Sequence, residues 1–166
     1  FFNMKKPIYL DYNATTPVDP EVLGQMLPLF TENFGNSMST THEFGWMADS
    51  EIEKARQIVA ESLKVHPHEI FWTSGATESN NWAIQGILEA QMANSNETQA
   101  PIHILSSPLE HSSILQALEH ARNLFKAEVE FLPVDSWGRV NPEDVALRIR
   151  PGQTRLVIAM WIQNEV

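Results

Sequence analysis

The chain has 166 residues, a hydrophobic content of 43% and a formal net charge of -10. This length suits about one domain, and the negative charge argues against nucleic acid or an anionic membrane surface as a partner. No apolar run approaches the roughly 18 residues of a membrane-spanning helix. The chain has no cysteine for disulfides or thiolate metal sites, and its start has no signal-peptide pattern, so we expect a cytoplasmic protein.

The N-terminal region predicts a pair of helices joined by a polar loop. Asp19-Pro20 is typical of an N-cap followed by proline at the first helical position, and the helix should run through "EVLGQMLPLF", with Pro28 limiting it. The stretch "TENFGNSMSTTHEFG" predicts a loop. Apolar residues then recur every three or four positions, which predicts a long amphipathic helix: Phe44, Ala48, Ile52, Ala55, Val59 and Leu63.

The rest of the chain alternates between strand and helix patterns. Predicted strands are "EIFWT" at 69–73, "IHILSS", "AEVEFLPVD" and "RLVIAMWI", and predicted helices are "ESNNWAIQGILEAQ", "SSILQALEHARNLF" and a segment starting after Asn141-Pro142. Residues 92–101 predict a surface loop. This alternation predicts an α/β fold with a mainly parallel sheet, whose last apolar strand is covered on both faces.

The turn "TSGAT" at residues 73–77 stands where a strand pattern changes into a helix pattern. Small residues at a helix N-terminus let a phosphate approach the unpaired N–H groups, and the hydroxyls of Thr73, Ser74 and Thr77 add donors. The turn lacks the P-loop lysine and the G-x-G-x-x-G pattern. An ordinary N-cap made by threonine or serine explains the same residues, so both interpretations stay open at this point.

A series of ordered segments favours the phosphate interpretation. They are "IYLDYNATTPVDPEVLGQMLP", "FGNSMSTTHEFG", "EIFWTSGATESNNWAIQG", "LEHSSIL", "LPVDSWGRVNPEDV" and "MWIQNEV". Together they resemble the N-terminal part of the cysteine desulfurase family, which consists of pyridoxal-phosphate enzymes of the class V aminotransferase group. The resemblance covers nearly all of residues 8–166.

The resemblance implies the fold in more detail. It implies the three-layer, mainly parallel large domain of the aspartate aminotransferase-like transferases, present here incompletely. Residues 1–16 would form an N-terminal arm, and residues 17–166 the first part of the large domain. The chain stops directly after a strand, where parallel α/β sheets gather their functional groups, so we expect it to be a piece of a longer protein.

The resemblance also assigns roles to individual residues. Ala76 and Thr77 match the positions that hold the phosphate of pyridoxal 5'-phosphate. His111 matches the catalytic histidine over the pyridine ring, and an imidazole suits proton transfer near neutrality. Asn164 matches the asparagine that approaches the ring and its 3'-oxygen, although the family usually has Asn where Gln163 stands. Asn13 lies in a loop that matches a substrate-binding segment.

Simpler interpretations accompany these assignments. His111 read by itself is a histidine at a helix start with a satisfied hydrogen bond, and Asn164 could cap the element that follows it. His66-Pro67-His68 has no carboxylate or cysteine to complete a metal site, so we predict no metal. The family's Schiff-base lysine, pyridine-pairing aspartate and persulfide cysteine all lie beyond Asn164. The lysines present match no such motif: Lys5, Lys6, Lys54, Lys64 and Lys126.

The activity implied by the resemblance is a homodimeric cysteine desulfurase. Such an enzyme converts L-cysteine to L-alanine and passes the sulfur, through an enzyme persulfide, to an acceptor protein for iron–sulfur cluster assembly or tRNA thiolation. The alternatives are another class V enzyme, such as a selenocysteine lyase or an aminotransferase, and a non-catalytic truncated module for binding or dimerisation. The chain by itself is expected to be inactive.

Overall fold

The structure is a computed structural model that describes residues 7–93, 101–163 and 165. The chain divides into two compact units, with the boundary between Trp72 and Thr73. The division of the chain into an arm of residues 1–16 and a domain of residues 17–166 stays a prediction. Within the described ranges, no helix is both long enough and apolar enough to cross a lipid bilayer.

The first helix, α1, begins as the sequence predicts and spans Pro20–Thr31. The Asp19 carboxylate caps it by accepting hydrogen bonds from the N–H groups of Glu21 at 2.8 Å and Val22 at 3.4 Å. Pro20 occupies the first helical position, where the N–H that proline lacks would have no intrahelical acceptor. The predicted N-terminus of α1 is therefore confirmed.

The predicted extent of α1 is confirmed to within one residue, because the helix runs through "EVLGQMLPLF" and ends at Thr31, shortly after Pro28. Proline removes one intrahelical donor and crowds the preceding turn, which limits a helix most strongly in its middle. Here Pro28 stands in the last turn, and its carbonyl accepts hydrogen bonds at 2.8 Å from the N–H groups of Glu32 and Asn33. These bonds end the helix within one turn of Pro28, as the prediction that Pro28 limits it implies.

The long amphipathic helix, α2, spans Glu43–Leu63 as expected. His42 caps its start through Nδ1, which accepts from the N–H of Gly45 at 3.4 Å. Gly45 is buried, and a Cβ added there would lie 1.8 Å from the carbonyl oxygen of Ser39. The glycine therefore allows the preceding loop to pack directly on the helix backbone. Lys64 ends α2 in the left-handed conformation, with φ 57°.

The strand predicted at residues 69–73 is not formed. Pro67–Glu69 makes a short 3₁₀ helix, and among the described residues no sheet strand includes residues 70–73. Ile70 is extended, but its carbonyl accepts a hydrogen bond from the Arg56 guanidinium. The same guanidinium lies over the Trp72 ring, 5.6 Å from its centroid. A side chain of α2 thus satisfies one backbone carbonyl of this segment, which a neighbouring strand would otherwise have to bond.

The second unit contains a parallel sheet in the order β2-β1-β3. Its strands are β1 (His103–Ser106), β2 (Glu128–Phe131) and β3 (Thr154–Ile158). Its helices are α3 (Ala76–Ala93), α4 (Ser112–Phe125) and α5 (Pro142–Arg148). The α/β class and the parallel sheet are confirmed. Most of the surface loop predicted at 92–101 lies outside the described residues.

The core of this unit lies where α3 and α4 pack on the sheet. All four residues of β1 are buried, since the strand has a neighbour on each side. Side chains from α3, β1 and α4, together with the residue directly before β2, form one apolar cluster, which comprises Ile84, Leu88, Ile104, Ala117, Leu118, Ala121 and Ala127. The cluster fixes the two helices against the central strand and therefore fixes where their N-termini lie.

The strand predicted from "RLVIAMWI" is shorter than expected and differently placed. Strand β3 ends at Ile158, and Val157 on it is 42% exposed. Covering of both faces is therefore wrong in the structure, because Arg155 and Val157, which share one face of β3, are both exposed. Strand β3 is also an edge strand of the described sheet. Trp161 is 95% exposed, so the end of the apolar run lies on the surface of this unit.

Candidate functional site

The N-termini of α3 and α4 lie side by side. The side-chain amide of Asn80 donates to Ser113 Oγ at 3.0 Å, and these residues belong to the beginnings of α3 and α4. Helix α4 starts shortly after β1 ends at Ser106. Both helix starts are therefore close to the carboxyl end of the central strand, where parallel α/β proteins gather their functional groups.

Ser74 and Glu78 make a local clamp before α3. The Glu78 carboxylate accepts from both the hydroxyl and the N–H of Ser74, each at 2.6 Å. These two hydrogen bonds favour the charged form, and they lower the pKa of Glu78 below its ordinary value of 4.5. The Ser74 hydroxyl donates to Glu78 in this clamp. It is therefore not available to a ligand, whereas the sequence analysis expected it to be a donor to a phosphate.

Thr73 is also engaged within the turn. Its hydroxyl lies 2.7 Å from Ser79 Oγ and 3.2 Å from the carbonyl oxygen of Gly75, to which it donates. The expectation that Thr73 and Ser74 offer hydroxyl donors to a phosphate is therefore wrong in this structure. The alternative of an ordinary threonine or serine N-cap is not adopted either, because both hydroxyls act on other partners.

The start of α3 consequently leaves open donors at Ala76 and Thr77. The first intrahelical bond runs from the N–H of Ser79 to the carbonyl of Gly75 at 3.1 Å. Within the described part of the chain, no group accepts from the N–H of Ala76 or Thr77. Both residues are exposed, and a Cβ added at Gly75 would meet nothing within 4 Å. An anion can therefore approach these N–H groups and the Thr77 hydroxyl.

His111 caps α4 and is exposed. Its Nδ1 accepts from the N–H of Ser113 at 3.2 Å, and Ser113 Oγ lies 2.9 Å from the same nitrogen. The simpler interpretation of a helix-start histidine with a satisfied hydrogen bond thus describes one side of the ring. The other ring nitrogen, Nε2, has no partner among the described residues.

Two side-chain contacts tie the loop that carries His111 to the segment after β3. The Glu110 carboxylate, which is 8% exposed, accepts from the N–H of Met160 at 2.7 Å. The side-chain amide of Gln163 donates to the carbonyl of Leu109 at 2.6 Å. These contacts bridge about fifty positions of sequence and bring the segment that leads to Asn164 beside the loop of residues 107–111.

The roles of two further predicted site residues stay predictions. Asn164 lies outside the described residues, so its role stays a prediction. Asn13 is exposed in the first unit, and its substrate-binding role also stays a prediction. His66 and His68 stack with ring centroids 5.3 Å apart. Across the ranges that the structure covers, no cluster of three or more histidine, cysteine or acidic residues could hold a metal ion.

Sequence reasoning missed Asn80, Ser113 and Glu110. Each of them either contacts a residue far away in the chain or forms part of a helix cap. Hydrophobic periodicity and motif spacing do not predict such contacts. Glu110 precedes His111 directly, and its only sequence signal is an acidic residue at the end of a buried segment. Its burial beside the Met160 N–H becomes visible only when β1 and β3 are paired.

Comparison with known proteins identifies relatives for almost the whole chain. Residues 8–166 match the family model described as aminotransferase class-V. The chain is 46% identical over 164 residues to cysteine desulfurase IscS of Dechloromonas aromatica, covering 98% of this chain and 38% of that protein. It is 42% identical over 161 residues to the mitochondrial cysteine desulfurase of Candida albicans, covering 97% of this chain and 31% of the relative.

Solved structures show the same fold. A NifS-like protein superposes with a TM-score of 0.84 at 37% identity, covering 96% of this chain and 41% of that one. The structure of SspA in complex with cysteine superposes with a TM-score of 0.82 at 33% identity, covering 95% and 43% of the two chains. The chain thus spans well under half the length of the relatives that it matches.

Proposed function

The chain belongs to the aminotransferase class-V family, and from this premise we propose that it forms the N-terminal part of a cysteine desulfurase. The whole protein would convert L-cysteine to L-alanine and pass on the sulfur through an enzyme persulfide. Its relatives are pyridoxal-phosphate enzymes. One structural observation carries the proposal: adjacent helix N-termini offer open N–H donors at Ala76 and Thr77 on one side and an exposed imidazole at His111 on the other.

The residues present fit the phosphate end of pyridoxal phosphate. The N–H groups of Ala76 and Thr77 and the Thr77 hydroxyl are donors at the positive end of α3, and the space in front of Gly75 is open. When bound, the cofactor supplies an electron sink for chemistry at the amino-acid α-carbon. These donors would hold the phosphate of the cofactor and thereby orient the cofactor. The hydroxyls of Thr73 and Ser74 instead stabilise the turn through their bonds to Gly75, Ser79 and Glu78.

His111 contributes a flat, partly unsatisfied imidazole at the neighbouring helix start. Its ring is fixed through Nδ1, so Nε2 is the atom that can bind or exchange a proton with a ligand. The Glu110 and Gln163 contacts keep the loop that carries His111 close to the segment preceding Asn164. In the proposed enzyme, Asn164 would approach the cofactor ring and Asn13 the substrate.

The substrate and the partners belong to the same proposal. Cysteine as the substrate is supported by the relatives that are named cysteine desulfurases and by the similar solved structure of SspA, which is a complex with cysteine. A homodimer, a sulfur-acceptor protein and a cytoplasmic location complete it. The relatives include both bacterial and mitochondrial proteins.

The test is turnover of cysteine by the complete gene product after loading with pyridoxal phosphate. With an added thiol reductant, which reduces the enzyme persulfide and releases its outer sulfur as sulfide, alanine and sulfide should form in equal amounts from cysteine. Selenocysteine and an amino-acid/keto-acid pair serve as competing substrates. Preferential turnover of selenocysteine, or transamination without sulfide, would assign one of the other class V activities instead. A protein that retains pyridoxal phosphate but turns over none of these substrates would favour a non-catalytic module.

A further inference from the structure

The contacts around His111 define the protonation of its ring. A backbone N–H can only donate, and the N–H of Ser113 points its hydrogen bond at Nδ1 with an N···N distance of 3.2 Å. Nδ1 must therefore offer its lone pair rather than a proton. In the neutral ring the single proton is then on Nε2, which is the nitrogen without a partner in the described structure.

Asn80 extends this arrangement from α3 into α4. Its side-chain NH₂ donates to Ser113 Oγ at 3.0 Å, so that oxygen acts as an acceptor from Asn80. The hydroxyl keeps its own proton and lies 2.9 Å from Nδ1 of His111, so in the Nε2–H tautomer it shares the single Nδ1 lone pair with the Ser113 N–H. Ser113 is only 7% exposed, so water competes little for these bonds. The chain of donors runs in one direction, from Asn80 through Ser113 to His111.

We propose that Ser113 and Asn80 are positioning residues that hold His111 as the Nε2–H tautomer and present this N–H to a ligand acceptor. While His111 caps α4 through Nδ1, its ring can donate a hydrogen bond from Nε2 and can stack on a ligand. The tautomer assignment rests on contacts alone, and its effect on turnover rests on the proposed function.

The direct test is the tautomer itself, read from long-range ¹H–¹⁵N correlations of the histidine rings in the ¹⁵N-labelled chain. The measurement is made near pH 8, where an ordinary histidine is neutral. The chain has six histidines, and His111→Gln identifies the relevant signals by their loss. The wild type should show Nδ1 as the unprotonated nitrogen. The opposite assignment would overturn the proposal.

Variants separate the two donors. Ser113→Ala removes the hydroxyl, and Ser113→Pro removes both the hydroxyl and the N–H at a first-turn position where proline is tolerated. A net hydrogen bond changes an equilibrium by about two- to tenfold, so the ratio of Nε2–H to Nδ1–H should fall by that factor in Ser113→Ala and further in Ser113→Pro. Asn80→Ala should shift it less than Ser113→Ala. Ser112→Ala, at the exposed neighbouring position, is the matched control and should leave the ratio unchanged.

Turnover of the complete enzyme supplies the second readout. We expect the kcat per bound cofactor of Ser113→Ala to fall by about two- to tenfold while Ser112→Ala keeps the wild-type value. An unchanged tautomer ratio in Ser113→Ala and Ser113→Pro, or wild-type kcat in both, would refute the positioning role. A wild-type protein that binds no pyridoxal phosphate would refute the proposed function, and the tautomer measurement would still decide the assignment at His111.

Discussion

Replacing Thr77 with valine tests the phosphate site at the start of α3 most directly. Valine keeps the branched shape of threonine and removes only the hydroxyl. The structure gives that hydroxyl no partner within the described residues, whereas the hydroxyls of Thr73 and Ser74 are bonded inside the turn. A loss of cofactor affinity in this variant would therefore report a contact with the ligand rather than damage to the turn.

The expected size follows from the charge of the acceptor. A hydrogen bond to an ionised group contributes about 1.5–3 kcal/mol. At about 1.4 kcal/mol for each factor of ten, the Kd for pyridoxal phosphate should rise by roughly 10- to 150-fold. The N–H groups of Ala76 and Thr77 remain, so binding should be weakened and not abolished. The assay is titration of the complete protein with pyridoxal phosphate, followed by cofactor absorbance.

Two variants serve as controls for this prediction. Thr77→Ser retains the hydroxyl and should keep most of the wild-type affinity. Thr73→Val removes a hydroxyl that bonds to Ser79 and Gly75, so it should lower the thermal stability and change the Kd less than Thr77→Val does. Equal affinities of the wild type and Thr77→Val would remove the Thr77 hydroxyl from the phosphate site.

Three further predictions concern the His111 ring, the Glu78 clamp and the buried Gly45. His111→Ala should slow turnover by roughly 10²–10⁴-fold, and His111→Asn, which can still cap α4, should be as slow; a fast His111→Asn enzyme would leave His111 with a capping role only. Because Ser74 lowers the pKa of Glu78, the clamp stabilises the folded state above the ordinary pKa of 4.5 and is lost as the pH falls through the lower folded value. An NMR titration should show the Glu78 pKa rising toward 4.5 in Ser74→Ala, and an unchanged pKa would contradict the clamp. Gly45→Ala should destabilise the protein by about 1–3 kcal/mol in thermal or denaturant unfolding, because its Cβ would lie 1.8 Å from the Ser39 carbonyl. Gly24→Ala, with nothing within 4 Å of the added Cβ, should stabilise α1 by about 0.5–1 kcal/mol, and similar effects of the two alanines would refute the argument.

Elements defined by local chemistry were predictable from the sequence. The Asp19-Pro20 cap, the full length of "SSILQALEHARNLF" and the amphipathic helix from residue 43 depend on neighbouring residues, and the structure contains all three. The strand predicted at 69–73 failed because a strand depends on a partner, and here the Arg56 side chain takes the Ile70 carbonyl. The apolar run at the end of the chain predicted a strand covered on both faces, but sequence does not say which elements pack on a strand, and one face of β3 is exposed.

The candidate site also combines features that the sequence could predict with features that depend on distant contacts. The turn at 73–77 and His111 could be located from sequence, because small residues before a helix and a histidine at a helix start are local patterns. The sequence could not show which hydroxyls of the turn stay available to a ligand, because that depends on a contact such as the bond of Ser74 to Glu78 one turn later. The contacts of Glu110 with Met160 and of Gln163 with Leu109 join segments about fifty positions apart, and only the pairing of β1 with β3 brings them together.

The different ways in which α3 and α4 begin decide which helix can bind an anion. Both N-termini lie at the carboxyl end of β1, and both carry the partial positive charge of a helix start. At α4 the N–H groups of Ser113 and Ile114 are already bonded to His111, so among the described residues that end presents an imidazole and a single open N–H, that of Ser112. At α3 the turn directs its hydroxyls to Ser79 and Glu78 and leaves the amides of Ala76 and Thr77 open. A phosphate should therefore bind at α3, with the His111 ring beside it at the start of the next helix.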